Sequence, residues 1–244
     1  MMTDKEKEAL RHRRGFLKGA LGMIPAAALT GSATATFAQD AMAAEEARGA
    51  GAAYRPTFFT TEEWAFLVAS TGRLIPANED GPGAVELGVP EFIDRQMETD
   101  YGHGGRWYLQ GPFDPGADFT LGYQLRFNPR DLYRTSIAEL NAWCVDKRGK
   151  RFADLDGAAQ DEVLGQLQKG AIELPSVKAS EFFLQLLGNT KEGYFADPMY
   201  GGNRGMGSWK MIGFPGARAD FKDWVEKRGA RYPLGPVSIL GEKA

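Results

Sequence analysis

Apolar residues in this chain recur three and four positions apart over most of its length, and the strict alternation of a half-buried strand is nearly absent. That periodicity predicts a mainly α domain. Thr60-Thr61-Glu62-Glu63 reads as a capping box, after which Trp64, Leu67, Val68, Thr71, Leu74 and Ile75 carry a first helix up to Pro76. Pro90 opens a second, with Phe92, Ile93, Gln96 and Met97 on one face, ending before Tyr101-Gly102. Leu132, Tyr133, Ile137, Leu140, Trp143 and Cys144 make a third, closed by Lys147-Arg148-Gly149, a basic turn suited to the negative end of the helix dipole. Asp156 caps a fourth, which turns Val163, Leu164 and Leu167 inward and stops at Gly170. A fifth begins at Ser176 and carries Phe182, Phe183, Leu186 and Leu187; a sixth spans Ala217–Arg228, with Phe221, Trp224 and Val225 on one face and Gly229 as its stop. The expectation is one compact domain of about six helices over residues 57–244, with long loops rich in Gly, Pro and aromatics and little or no sheet.

Ahead of that domain the chain reads as an export signal. The run His12-Arg13-Arg14-Gly15-Phe16-Leu17-Lys18 closes a basic segment, and a weakly apolar stretch from Gly19 to about Ala38 follows. Arg13, Arg14, Phe16, Leu17 and Lys18 therefore form a candidate twin-arginine signal, the address of the twin-arginine translocase. His12 stands where Ser or Thr is usual. The stretch holds too many Gly, Thr and Ser residues for a spanning helix, which wants roughly 20 predominantly apolar residues. Thr36-Phe37-Ala38 and Ala41-Met42-Ala43 both suit cleavage, near residue 38 or 43, and residues 39–56 read as a flexible leader rich in Ala, Gly and Glu. The expected location is the periplasm.

Cleavage alters the charge. The whole chain carries a formal net charge of −3, and residues 1–38 hold six basic residues against three acidic ones. What remains is more acidic, which argues against nucleic acid and against attachment to anionic lipid by a basic patch.

Past residue 38 there is one histidine, His103, and one cysteine, Cys144. A structural zinc site needs about four Cys or His ligands, an iron–sulfur cluster several thiolates, and covalent haem a Cys-x-x-Cys-His run. The composition supplies none of these, and a lone cysteine leaves no internal disulfide. Cys144, in a helical context, reads as a buried inert thiol, and His103, in a Gly-rich loop, as a surface or interface residue.

Two loop regions are too long and too aromatic to be mere connectors. The first runs from Tyr101 to Asn128 with Trp107, Tyr108, Phe113, Phe119, Tyr123 and Phe127; the second runs from Gly193 to Gly216. Tyr, Trp, Met and Arg are enriched at interfaces, although some of these aromatics must instead fill the chain's own core. The glycines from Gly201 to Gly207 do not make a phosphate cradle, because they follow helix-like sequence, lead into Trp209-Lys210-Met211 and lack a lysine at Walker spacing. Asp154-Leu155-Asp156 and the Asp114–Asp118 run likewise miss the spacing of a calcium loop.

Several of these segments together resemble the gluconate 2-dehydrogenase subunit 3 family. They are Phe182-Phe183 and Leu186-Leu187, then Thr190-Lys191-Glu192-Gly193-Tyr194-Phe195-Ala196-Asp197-Pro198, Tyr200-Gly201-Gly202-Asn203-Arg204 and Trp209 to Gly216. Upstream, Leu74-Ile75-Pro76, Gly83 to Pro90 with Phe92-Ile93-Asp94, and Tyr101-Gly102 with Tyr108 and Gly111-Pro112 are similar too. Asn189 departs from the pattern, standing where His is expected in many relatives.

The resemblance implies the small, or gamma, subunit of a membrane-bound dehydrogenase for sugars, sugar acids or polyols. It carries no cofactor in this chain, with FAD in a large glucose–methanol–choline-type subunit and haem c in a multihaem cytochrome c third subunit where one is present. It implies too that the large subunit travels on this chain's signal, so that the small subunit is non-catalytic and stabilises and escorts its partner. Tyr194, Tyr200, Arg204, Trp209 and Lys210 become candidate partner contacts, with Asp197 and Asn203 fixing the loop that bears them. Two other readings stay open. One is a stand-alone periplasmic enzyme using paired carboxylates such as Glu192 and Asp197; the other is a scaffold for an unrelated exported oxidoreductase.

Overall fold

The Thr60 hydroxyl accepts the Glu63 N–H at 3.3 Å and the Glu63 carboxylate accepts the Thr60 N–H at 2.8 Å, so a reciprocal cap starts α1 (Thr61–Leu74). A computed structural model describes residues 54–244 apart from 106, 115, 219–221 and 231. The export signal expected at Arg13 and Arg14, and nearly all of the expected leader, lie outside the described residues.

The other long helices begin and end by similar chemistry. α2 (Val89–Met97) starts at left-handed Gly88 with Pro90 in its first turn. For α3 (Pro129–Arg148) the Asn128 side chain accepts the Asp131 N–H at 2.8 Å, and Gly149 at φ 74° ends it. Asp156 caps α4 (Gly157–Gln168) through the Ala159 N–H at 2.9 Å. α5 (Ala179–Phe195) starts three residues later than Ser176 and has no side-chain cap. Among the described residues there is no sheet, only isolated bridges such as Gly216 with Val237.

The sixth helix lies elsewhere than expected. α6 is Gly207–Ile212, and within 217–228 the described residues hold only one 3₁₀ turn, Lys222–Trp224. Two causes act together. The Ala217 N–H donates to the Val237 carbonyl at 2.7 Å, committing the segment's start to extended pairing. Val225 is exposed and Trp224 packs on the neighbouring Tyr232 ring at 5.2 Å, whereas a helix this short forms only when packing supports its face. Phe221 lies outside the described residues.

Residues 55–244 make one compact unit, with α5 packed against α2 and α4 and α1 touching all four of the other long helices. Its centre is aromatic: the Phe66 ring lies 4.9 Å from Phe152, and the Tyr133 ring meets Phe182 edge-on at 5.7 Å and Phe59 at 5.6 Å. Phe58 and Phe59 join that core from a backbone segment before α1 that a buried carboxylate holds. Asp94 of α2 accepts the N–H groups of Thr57, Phe58 and Phe59 at 2.7, 3.1 and 3.0 Å, together with the Thr57 hydroxyl at 3.0 Å. Arg130 and Arg134 of α3 then cover the Phe58 ring, each 4.4 Å from its centroid. The chain thus enters the helical unit at a fixed place.

Candidate partner-docking site

The second Gly-rich segment wraps the C-terminal end of α5, and it does so through close backbone approach. A Cβ on Gly193 would stand 2.7 Å from the Phe92 ring of α2, and one on Gly202 would collide with the Gly193 carbonyl oxygen. Glycine at these two positions brings α2, the end of α5 and the following loop into contact.

Two buried polar side chains hold that loop in shape. Asn203, fully buried in the left-handed region at φ 45°, donates from Nδ2 to the Ala196 carbonyl at 3.0 Å. Its Oδ1 accepts the Ser208 N–H at 3.0 Å and the Ser208 hydroxyl at 2.8 Å. It therefore satisfies an orphan donor in the first turn of α6, whose N-cap position, Met206, offers no side-chain acceptor. The Asp197 carboxylate accepts the Met199 N–H at 3.1 Å and, from the C-terminal tail, the Ile239 N–H at 2.7 Å. Both side chains are thus engaged with backbone groups of the loop, of α6 and of the tail.

The other expected contact residues divide by burial. Trp209 is buried, with Nε1 donating to the Phe195 carbonyl at 2.9 Å and its ring edge-on to Phe214 at 5.1 Å. Tyr194 is buried too; its hydroxyl donates to the Pro82 carbonyl at 2.8 Å, and burial pushes the phenol's pKa up. Arg204 pairs with the buried Glu91 of α2, which also pairs with Arg95, while half of its own side chain stays in water. Tyr200 and Lys210 are exposed. Of the seven residues, Tyr200, Arg204 and Lys210 can reach a partner directly, and Tyr194, Asp197, Asn203 and Trp209 form the platform under them.

Sequence reasoning missed the exposed apolar residues on that platform. Phe195, Met211, Ile212 and Phe214 all face solvent. Between α5 and the loop after α1 lies a cleft of about 420 Å³, lined by Ile75, Pro82, Leu187, Tyr194, Phe195 and Met211, with Asp80 and Lys191 at its edge. Their run between Trp209 and Gly216 signalled a hydrophobic segment, but period alone could not say which side chains turn outward.

The first aromatic loop closes on the helices from another side. Trp107 packs at a tilt on Tyr123, with ring centroids 4.5 Å apart, and meets Tyr101 edge-on at 6.1 Å. Asn189 is buried rather than presented to a partner. It donates to the Tyr101 hydroxyl at 2.7 Å and to Glu192 at 2.8 Å, and it accepts from the Tyr133 hydroxyl at 3.0 Å and from Gln185 at 2.7 Å. Burial raises the pKa of both the Tyr101 and Tyr133 phenols, keeping them neutral, with the Tyr133 hydroxyl as donor and the Tyr101 hydroxyl as acceptor. Glu192 thus faces Asn189 while Asp197 faces backbone amides, so the carboxylate pair considered above has no shared partner among the described contacts.

His103 is exposed, with Nδ1 2.9 Å from the Thr99 carbonyl oxygen, and Cys144 is buried, its thiol pushed up to about 11 by desolvation. Among the described residues no three His, Cys, Asp or Glu side chains converge as metal ligands, and no helix is long and apolar enough to cross a membrane.

The chain matches no curated protein and no solved structure. It does match a protein family, Gluconate 2-dehydrogenase subunit 3, over residues 61–216, a span that runs from the first residue of α1 through the whole wrapped loop. With well over half of its length inside that match, the chain belongs to the gluconate 2-dehydrogenase subunit 3 family and is a small subunit of a dehydrogenase complex.

Proposed function

We propose that this chain is the non-catalytic small subunit of an FAD-dependent sugar, sugar-acid or polyol dehydrogenase on the periplasmic side of the membrane. In this reading it stabilises a large flavin subunit of the glucose–methanol–choline type and takes it out of the cytoplasm by its own twin-arginine signal. A multihaem cytochrome c serves as the third subunit and membrane attachment where the complex has one. The family match over residues 61–216 carries the reading. Two further observations support it. The buried polar side chains Asp197 and Asn203 of the wrapped loop are spent on shaping backbone, and the sequence ahead of the domain holds Arg13 and Arg14 in a basic, export-like segment.

The test separates escort from simple partnership. Arg13→Lys with Arg14→Lys, in cells producing the flavin subunit, should leave both proteins in the cytoplasmic fraction. Export of the flavin subunit at its normal level would defeat the escort role, and absence of flavin from the wild-type complex would defeat the small-subunit role as drawn.

A further inference from the structure

We infer that the flavin subunit docks on one apolar face at the C-terminal end of α5, and that the C-terminal loop bearing Ile239 and Leu240 forms its outer edge. The inference rests on the small-subunit reading and adds the surface.

Buried groups tie the parts of this face to one another. Trp209 lies beneath Phe195 and Phe214, bonded to the carbonyl of one and packed on the ring of the other. Met211 and Phe195 line the cleft against Pro82, and Ile212 follows on the same short helix. On the other side of Asp197, the carboxylate that accepts the Met199 N–H also accepts the Ile239 N–H, tying the tail to the wrapped loop.

That tail is a built loop. Val237 donates to the Pro215 carbonyl at 3.2 Å and accepts from Ala217 at 2.7 Å. The Ser238 N–H donates to the Glu242 carbonyl at 2.9 Å, and the Ser238 hydroxyl accepts the Glu242 N–H at 3.0 Å. Turn tips are ordinarily Gly, Asn, Asp or Ser. Here the tip is Ile239-Leu240, and Leu240 is 68% exposed. The backbone is fixed and the aliphatic groups are held outward, an arrangement that gains nothing in the isolated chain.

The area decides what fits. Phe195, Met211, Ile212, Phe214, Ile239 and Leu240, with the neighbouring Met199 and Tyr200, are each at least 40% exposed. At about 150 Å² for a large apolar side chain, half exposure of eight gives about 600 Å² of apolar surface. A typical monomer's largest patch is about 300–600 Å², and one partner's share of a standard interface is about 800 Å², polar rim included. The face therefore stands at the top of the range for a monomer's largest patch and is large enough to form the apolar part of one partner's share of a standard interface. Its cleft between Leu187, Pro82 and Met211 suits one large apolar anchor from the partner. The chain's acidic balance disfavours an anionic lipid surface as the occupant.

The experiment uses the full chain, tagged and co-expressed with the flavin subunit, and reads bound flavin per tagged chain. Ile212→Asp and Leu240→Asp should each lower retention at least ~10-fold, since interface anchors carry most of the binding energy. Leu240→Ser should give a smaller loss in the same direction. Leu121→Asp and Val145→Asp, at exposed apolar residues elsewhere, should retain wild-type levels. Wild-type retention by Ile212→Asp and Leu240→Asp with unchanged melting temperatures overturns the inference while leaving the small-subunit reading intact. So does a wild-type chain that is a dimer alone and becomes monomeric on Leu240→Asp while still binding flavin subunit. A wild-type chain that retains no flavin subunit removes both.

Discussion

Asn203 can be tested as the residue that shapes the docking loop, because three substitutions at one position separate its contributions. The side chain makes one donor hydrogen bond, to the half-buried Ala196, and two acceptor hydrogen bonds, to the buried Ser208, on backbone at φ 45° and ψ 46°. Asn203→Gly keeps the left-handed backbone free of strain and removes the three bonds, stranding the Ala196 carbonyl and the Ser208 N–H. At about 1–3 kcal/mol for each buried group left unpaired, offset where water enters, the expected loss is about 2–4 kcal/mol. Asn203→Ala adds a left-handed non-glycine residue, a further ~1 kcal/mol. Asn203→Asp keeps both acceptor contacts but faces a carbonyl oxygen with a carboxylate, so its cost should fall between neutral and that of Asn203→Gly. Urea unfolding with a common m-value reads all three. The reasoning is refuted if Asn203→Gly costs under ~0.5 kcal/mol, or if alanine is no worse than glycine. In the first case the bonds contribute nothing net, and in the second the backbone is not held left-handed.

Three further outcomes follow from other parts of the molecule. Asp94→Ala strands three backbone N–H groups before α1, so a loss of about 3–5 kcal/mol in urea unfolding and fast hydrogen exchange at Phe58 and Phe59 are expected; Asp161→Ala, which breaks a surface pair with Arg73, should leave the urea midpoint nearly unchanged. Cys144, with its thiol raised to about 11 by burial from an ordinary value of 9.0, should resist thiol reagents at pH 8 until urea exposes it, and prompt native labelling would contradict its placement. The same sign gives a pH dependence: because the folded state holds this proton more tightly, its contribution is complete below pH 9 and is lost as pH rises towards 11, so Cys144→Ala should flatten the alkaline fall in melting temperature.

Five helices were legible because each carries its own apolar stripe, and all but α5 a local start signal. The Thr60 box, Asn128 with Gly149, and Asp156 act within a few residues of themselves, so sequence alone exposes them. The error at 217–228 shows the limit. Phe221, Trp224 and Val225 have the spacing of a helix face, but spacing cannot say whether a surface exists to receive it, and the pairing of Ala217 with Val237 preempts the turn. The same limit governs the site. Trp209 and Tyr194 have the composition of interface anchors, yet their hydrogen bonds to Phe195 and Pro82 turn them inward. Asn189 reaches Tyr101 and Tyr133 across 88 and 56 residues of sequence, a network invisible to any local pattern.

What joins these observations is how a helical unit can hold a rigid loop surface. Loop backbone carries N–H and C=O groups that no helix satisfies, and buried ones need partners. Here Asp94, Asp197 and Asn203 supply them, each from a side chain turned onto backbone. A loop fixed in that way can keep apolar groups such as Ile212 and Leu240 outward, because their collapse into the core would break hydrogen bonds made at fixed geometry. It follows that changes at the face and changes beneath it should differ in kind. Ile212→Asp should reduce retention of the flavin subunit without altering stability, whereas Asn203→Gly should lower stability first and binding only as the loop loosens. If Asn203→Gly weakened binding at full stability, Asn203 would itself be a contact residue, and its burial beneath the loop would have to open in the complex.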